Sequence, residues 1–303
     1  MEIEIIKWFQ GTENAFLDTT FNILTQFGED IFFVCMFLLL FWCVSYASSF
    51  KFALFYMVSV VINSLLKLIV KRPRPWHADA SITNKLHATG YSFPSGHSQS
   101  IAAISTFFTY NVYTKTKSNW MKISAIVISF VLCVLVAISR MYLGQHYLTD
   151  VICGLVIGVV LMLLLCLFEK VLIKICSRII LYYFLIAISA LILLFVGAVY
   201  IFNIELGSLS IKLFKYAGLL VGATIGYYFI KNEPNIVTSF NQRVFKLVLG
   251  LIVTFGLYFA LKALLPQTSS IVFVTTLICS FVATFIYPIC YNAIYNKIYK
   301  KDN

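Results

Sequence analysis

His146 and Asp150 stand four residues apart. On a helix that spacing puts two side chains on one face. A carboxylate so placed can hold one ring nitrogen of the imidazole and leave the other free to attack. That is the nucleophile and orienter of a catalytic triad without its serine. A second histidine, His97, is a candidate to protonate a leaving oxygen. Lys67, Arg74 and Arg140 suit a group carrying two or three negative charges, arginine being able to grip phosphate oxygens in pairs. Pro94-Ser95-Gly96-His97 has the form of a tight turn feeding a helix N-terminus. Free N–H groups and the positive end of the dipole there make an anion seat, and Gly96 lets the backbone come close to a ligand. Cations, anion seat, nucleophile and acid together point to phosphoryl transfer, where positioning and charge stabilisation dominate.

The elements that must position these groups follow from composition. Of the 303 residues, 61% are hydrophobic and only 12% are charged, about half the share in a soluble domain. Stretches without any Asp, Glu, Lys or Arg recur along the chain, among them 31–50, 86–114, 151–168, 179–204 and 263–296. A bilayer core takes roughly 20 mostly apolar residues to cross. A soluble enzyme, a disordered chain and a disulfide-stapled miniprotein are excluded. The expected fold class is all-α, a polytopic transmembrane helical bundle, because only internally satisfied backbones span lipid here. Nine spans are expected, over about 29–47, 51–70, 97–114, 121–139, 148–169, 179–202, 213–231, 245–264 and 270–291. Residues 1–28 mix acidic and aromatic groups and suggest short helices lying in the interface. No cleavable signal peptide is expected, since the first 30 residues lack a basic start followed by an apolar core. The loop 71–96 holds Pro73, Pro75 and Pro94 together with His77 and His87, and a loop of that length is usually functional.

With the helices running up and down, four ends meet on one membrane face: the end of the second span, the start of the third, the end of the fourth and the start of the fifth. They carry Lys67 and Arg74, His97, Arg140, and His146 with Asp150. Ionisable groups at a membrane edge are costly and mark function by default. The net charge of +11 does not imply nucleic acid, because most cations sit in short loops where the positive-inside rule collects them. The eight cysteines show no metal-ligand spacing and read as small buried hydrophobes.

Three motifs stand in order: Lys67-x6-Arg74-Pro75, then Pro94-Ser95-Gly96-His97, then Ser139-Arg140-x5-His146-x3-Asp150. Together they resemble the three-part signature of the type 2 phosphatidic acid phosphatase superfamily, in its integral-membrane lipid phosphatase branch. The resemblance covers about residues 1–202. It implies a metal-independent phosphatase with no cofactor and a phosphohistidine intermediate, in which His146 is the nucleophile, Asp150 its partner and His97 the acid. It further implies that Lys67, Arg74, Ser95, Gly96 and Arg140 bind phosphate, while Arg72 is a candidate rim cation.

The expected domains are a six-helix phosphatase core with its N-terminal interfacial helices over 1–202, and about three additional spans of unassigned role over 203–303. The expected function is hydrolysis of a lipid phosphate or diphosphate: polyprenyl diphosphate, phosphatidate, phosphatidylglycerophosphate or a sphingoid phosphate. The partner is the membrane lipid itself. Two rival readings remain: a phosphotransferase using the same intermediate, and an anion transporter that binds without hydrolysis. Assigning each Lys and Arg to its nearer membrane side gives 13 opposite the motifs and seven beside them, once Lys67, Arg74 and Arg140 are set apart. The richer side is cytoplasmic by rule. The site is therefore expected to face the extracytoplasmic side, with a bacterial plasma membrane as the expected location.

Overall fold

The computed structural model describes residues 1–86, 88, 90–175, 187, 191, 194, 197, 201, 209–233 and 239–299, and every regular element among them is a helix. The chain divides into two units, one made of 1–36 and 51–171 and the other of 37–50 and 172–303. Five helical segments among the described residues are long and apolar enough to cross a membrane, and a bent pair, Ala15–Gly28 with Asp30–Cys43, makes a sixth candidate. The polytopic helical fold is as expected. Of the nine anticipated spans, 179–202 falls mostly outside the described residues, together with His87.

The first unit contains α1 (Glu2–Gly11), α2 (Ala15–Thr25) with a following 3-10 turn (Gln26–Gly28), the start of α3 (Asp30–Cys43) and most of α4 (Tyr46–Val70). After these come α5 (Pro75–Ala78), α6 (Gly96–Lys115), α7 (Asn119–Tyr142) and α8 (Leu148–Ile175). One expectation needs correction, since the gap expected at 48–50 lies inside α4. Residues 1–28 form short helices as expected, and α2 with its turn meets α3 at a 52° bend. Lys71, with φ at +50°, and Pro73 end α4, as neither continues a helix.

Helix α6 was expected as a span and is absent from the apolar candidates, because polar residues are interspersed along it, the buried Ser98, Gln99 and Ser105 among them, beside Ile101, Ala102, Ala103, Ile104 and Phe107. Gln99 Nε2 donates to the Ser59 carbonyl at 2.7 Å and to Ser59 Oγ at 2.9 Å, and Asn63 Nδ2 donates to Gln99 Oε1 at 2.8 Å. Tyr56 and Ser100 hydroxyls meet at 2.9 Å. Interhelical hydrogen bonds of this kind hold helices together where lipid provides no hydrophobic drive. On the other side of α6, Gly154 of α8 packs so closely that a Cβ there would lie 2.6 Å from the Ser95 carbonyl, and Gly158 meets the Gln99 carbonyl one turn on. This Gly-x3-Gly pair brings the head of α8 against the head of α6.

The second unit holds α9 (Leu209–Ile230), α10 (Phe240–Leu264), α11 (Ser269–Phe281), a π turn (Val282–Ile286) and α12 (Tyr287–Tyr299). Gly218, Gly222 and Gly226 of α9 face Thr276, Ser280 and Thr284. The buried Trp42 indole donates to the Ala283 carbonyl at 2.9 Å, a group inside the π turn. Lys246, one of the 13 cations assigned to the membrane side opposite the motifs, is buried in α10 at 1% exposure. Of the cysteines, Cys43, Cys166 and Cys279 are buried as expected, whereas Cys290 is exposed.

Candidate active site

All the motif residues lie in the first unit. Lys67 sits in the last turn of α4, Arg74 caps the start of α5, Ser95 caps α6, Arg140 closes α7 and Asp150 lies in the first turn of α8. His146 belongs to the connection before α8. It is therefore not on a helical face with Asp150, and a different device joins them. The Asp150 carboxylate turns back as an N-terminal cap and accepts the Tyr147 N–H at 3.0 Å, which draws the connection toward it. His146 Nδ1 lies 3.5 Å from Asp150 Oδ2 and 3.4 Å from Ser92 Oγ. Gly144, at φ +70°, makes the turn that precedes them, and a side chain there would meet the Thr83 carbonyl at 2.5 Å.

The other ring nitrogen, His146 Nε2, lies 3.3 Å from Arg74 Nη1. A guanidinium only donates, so Nε2 presents a lone pair and the proton of the neutral ring sits on Nδ1, toward Asp150 and Ser92. The ring is buried at 2% exposure. Burial, then the positive charges of Arg140, Arg74 and Lys67, hold its pKa well below the ordinary 6.5, and His97 adds a smaller push. At neutral pH it is an uncharged imidazole with an unprotonated nitrogen among cations.

Those cations are themselves anchored. Arg74 donates to the carbonyls of Gly90 at 3.0 Å and Gln145 at 3.1 Å. Lys67 Nζ donates to the carbonyls of Tyr91 at 2.8 Å and Ser92 at 3.2 Å. Arg140 is 3% exposed and donates to Thr25 Oγ1 at 2.6 Å, while its Nε has no hydrogen-bond partner among the described residues. Such a buried donor is costly without an acceptor. At the head of α6, the Ser95 N–H is already taken by the Asp150 carbonyl at 2.9 Å, which locks the second motif to the third. The anion seat is thus narrower than a wholly free helix N-terminus. A Cβ on Gly96 would make only an ordinary 3.6 Å contact with Asn63 Oδ1, so no steric demand accounts for that glycine.

Several participants lie outside the expected set. Asp150 is fully buried and is held by the Ser92 hydroxyl and by Arg72 Nη1 at 2.8 Å. Arg72 is therefore no rim cation: it also bonds Thr149 and Glu2 and stacks 3.8 Å from the Tyr147 ring centre. His97 Nε2 meets Glu29 Oε1 at 2.9 Å. Tyr142, within the third motif, is wholly buried and donates to Asp18 Oδ1 at 2.8 Å. Only Glu29 left a trace in the sequence, as an acidic residue heading the first apolar stretch.

Residues 48–174 match the PAP2 superfamily, and residues 214–300 match the PAP2 superfamily phosphatase transmembrane extension. A probable sphingosine-1-phosphate phosphatase of Dictyostelium discoideum is 27% identical over 52% of this chain and 40% of its own length. Phosphatidylglycerophosphatase B of Bacillus subtilis is 36% identical over 34% of this chain and 49% of its own. Undecaprenyl-diphosphatase BcrC of the same organism is 29% identical over 53% of this chain and 80% of its own. The chain thus spans less than half the length of the first two. Among solved structures, a transmembrane PAP2-type phosphatidylglycerolphosphate phosphatase from Bacillus subtilis superposes with a TM-score of 0.50 at 26% identity, covering 58% of this chain and 87% of that one.

Proposed function

Given that the chain belongs to the PAP2 superfamily, we propose that it is an integral-membrane phosphatase acting on a lipid phosphate or diphosphate through a phosphohistidine intermediate. One observation carries this reading: a buried His146 whose Nε2 meets Arg74 Nη1 at 3.3 Å while Nδ1 faces the Asp150 carboxylate at 3.5 Å. In the first step Nε2 bonds to phosphorus as the phosphorus–oxygen bond to the lipid breaks. The departing oxygen takes a proton from His97. Water then attacks the phosphohistidine, His97 accepts the water proton, and inorganic phosphate leaves with His146 restored. Lys67, Arg74 and Arg140 neutralise the transferring group, with Ser95 and Gly96 at the head of α6 as further contacts. The relatives' names cover sphingosine phosphate, phosphatidylglycerophosphate and undecaprenyl diphosphate, whose shared chemistry is a phosphate group on a long apolar tail.

Purified protein is expected to release inorganic phosphate from members of a panel of polyprenyl diphosphate, phosphatidate, phosphatidylglycerophosphate and sphingoid phosphates. Turnover persists in EDTA and is inhibited by vanadate, which imitates five-coordinate phosphorus. Loss on chelation, restored by Mg²⁺ or Mn²⁺, would place the enzyme in another mechanistic class. Phosphate passed to an acceptor lipid or sugar without release would make it a phosphotransferase, and binding without turnover an anion carrier.

The site faces the extracytoplasmic side, or the lumen in a eukaryotic source. The Lys and Arg asymmetry supports this orientation, at 12 against seven once the buried Lys246 is set aside. A site so placed meets lipids already in the outer leaflet, which favours recycling of carrier lipids. Ala80 in the motif loop and Lys117 between α6 and α7 are both exposed. In a background lacking the native cysteines, Ala80→Cys is expected to react with a membrane-impermeant maleimide in intact cells and Lys117→Cys is not. The reverse pattern would overturn the orientation and the carrier-recycling preference with it.

A further inference from the structure

One short segment outside all three motifs reaches two residues of the site. Thr25 Oγ1 accepts from Arg140 at 2.6 Å. Gly28 lies so near α6 that a Cβ there would come within 2.7 Å of His97 Cβ, so only glycine allows the approach. Glu29 Oε1 is 2.9 Å from His97 Nε2. The segment is the break at which the helical path turns by 52° from α2 and its 3-10 turn into α3.

An ionised carboxylate only accepts, so this contact keeps the proton on Nε2 whether the ring is neutral or cationic. Neutral His97 then carries its lone pair on Nδ1. We propose that Glu29 is a positioning residue for the reaction: its carboxylate grips His97 by Nε2–H, which makes Nδ1 the atom that gives and takes the catalytic proton. The inference rests on the phosphatase reading above and deepens it. In the first half-reaction the Nδ1–H bond breaks, its proton joins the lipid oxygen leaving phosphorus, and the ring becomes neutral with Nε2–H still held. In the second, a water proton passes to Nδ1 as the water oxygen bonds to phosphorus and the bond from His146 Nε2 to phosphorus breaks. Each histidine then has its own carboxylate, Asp150 for the nucleophile and Glu29 for the acid.

The charged groups facing His97 are Arg140 of α7 and, at the head of α3, Asp30 and Glu29, and Glu29 is the one in contact. A carboxylate favours the imidazolium. Removing it lets the ring lose its proton at lower pH, so the alkaline limb of kcat moves to lower pH.

The test compares Glu29→Gln and Glu29→Asp with His97→Ala, each on a lipid alkyl phosphate and on 4-nitrophenyl phosphate. The aryl leaving group needs little protonation. Glu29→Gln is expected to lower kcat on the alkyl substrate about 10- to 100-fold, part of the roughly 10²–10⁴ that general acid catalysis supplies. KM stays within about twofold and aryl turnover within about threefold. Glu29→Asp recovers part of the alkyl loss, and the alkaline limb shifts down only in Glu29→Gln. Equal loss on both substrates would mark a structural role and overturn the inference. No loss on either, while His97→Ala still discriminates, would overturn it and leave the phosphatase reading intact. Absence of discrimination in His97→Ala would remove His97 as the acid, and both the proton route above and the role of Glu29 would fall.

Discussion

His146→Ala lowers turnover of a lipid phosphate by at least about 10³-fold in a protein that still folds. The magnitude follows from what the residue supplies. A covalent step divides one difficult displacement into two easier ones. Without Nε2, only the cations and the bound geometry remain to help water attack directly. The ring needs no activation by deprotonation at neutral pH, because burial and the neighbouring cations already hold its pKa well below 6.5. The same depression sets a sign for stability. An unfolded chain takes up a proton near pH 6.5 that the native imidazole refuses, so His146 costs the native state stability as pH falls below that value. The alanine variant lacks this acid-sensitive contribution. It is therefore expected to lose less stability than the parent as pH falls below about 6.5. Rapid-quench measurement of acid-labile phosphoprotein checks the assignment: the parent shows it during turnover and His146→Ala does not. Near-normal turnover in a folded variant would sink the mechanism.

Much of this fold was legible because lipid imposes a coarse rule: charge-free stretches of sufficient length become helices. α4, α7, α8 and α10 fall where such stretches stand. Helix α6 shows where the rule weakens. Ser98, Gln99 and Ser100 make it look less like a span; Ser98 is satisfied by Ser95 at the head of its own helix, and the partners on α4, Ser59, Asn63 and Tyr56, satisfy Gln99 and Ser100. Such pairing depends on which helix lies alongside and leaves no local periodicity to read.

The site divides in the same way. Residues at helix ends could be placed because topology delivers them to one face. The details failed where geometry within a turn decides. His146 and Asp150 meet through a cap at Tyr147 N–H and not along a helix. Arg72 differs from Arg74 by two positions, yet one holds the carboxylate and the other faces the imidazole. Ser92, Thr25 and Glu29 belong to no motif, since their roles arise from contacts 58, 115 and 68 positions away along the chain. The glycines of α8 at 154 and 158, four residues apart, mark a close approach to α6 that sets the spacing between the second and third motifs.

Arg140→Lys is expected to reduce kcat/KM by about 10²–10³-fold, the usual scale for losing one donor aimed at developing charge. Lysine keeps the charge and loses the fork. In this site the fork is divided: one terminal nitrogen is committed to Thr25, and the buried Nε has no partner among the described residues. The transferring phosphoryl group flattens in the transition state, with its charge spread over three equatorial oxygens, so a donor fixed in a dry site to fit that geometry stabilises the transition state more than the bound substrate. A lysine amine, strongly hydrated and without a planar set of donors, cannot satisfy Thr25 and an equatorial oxygen together. The loss should thus fall mainly on kcat, with vanadate affinity falling in parallel because vanadate samples the same geometry. A folded Arg140→Lys protein that kept kcat/KM within about threefold would show that Arg140 braces α7 against α2 through Thr25 and leaves phosphate to Lys67 and Arg74.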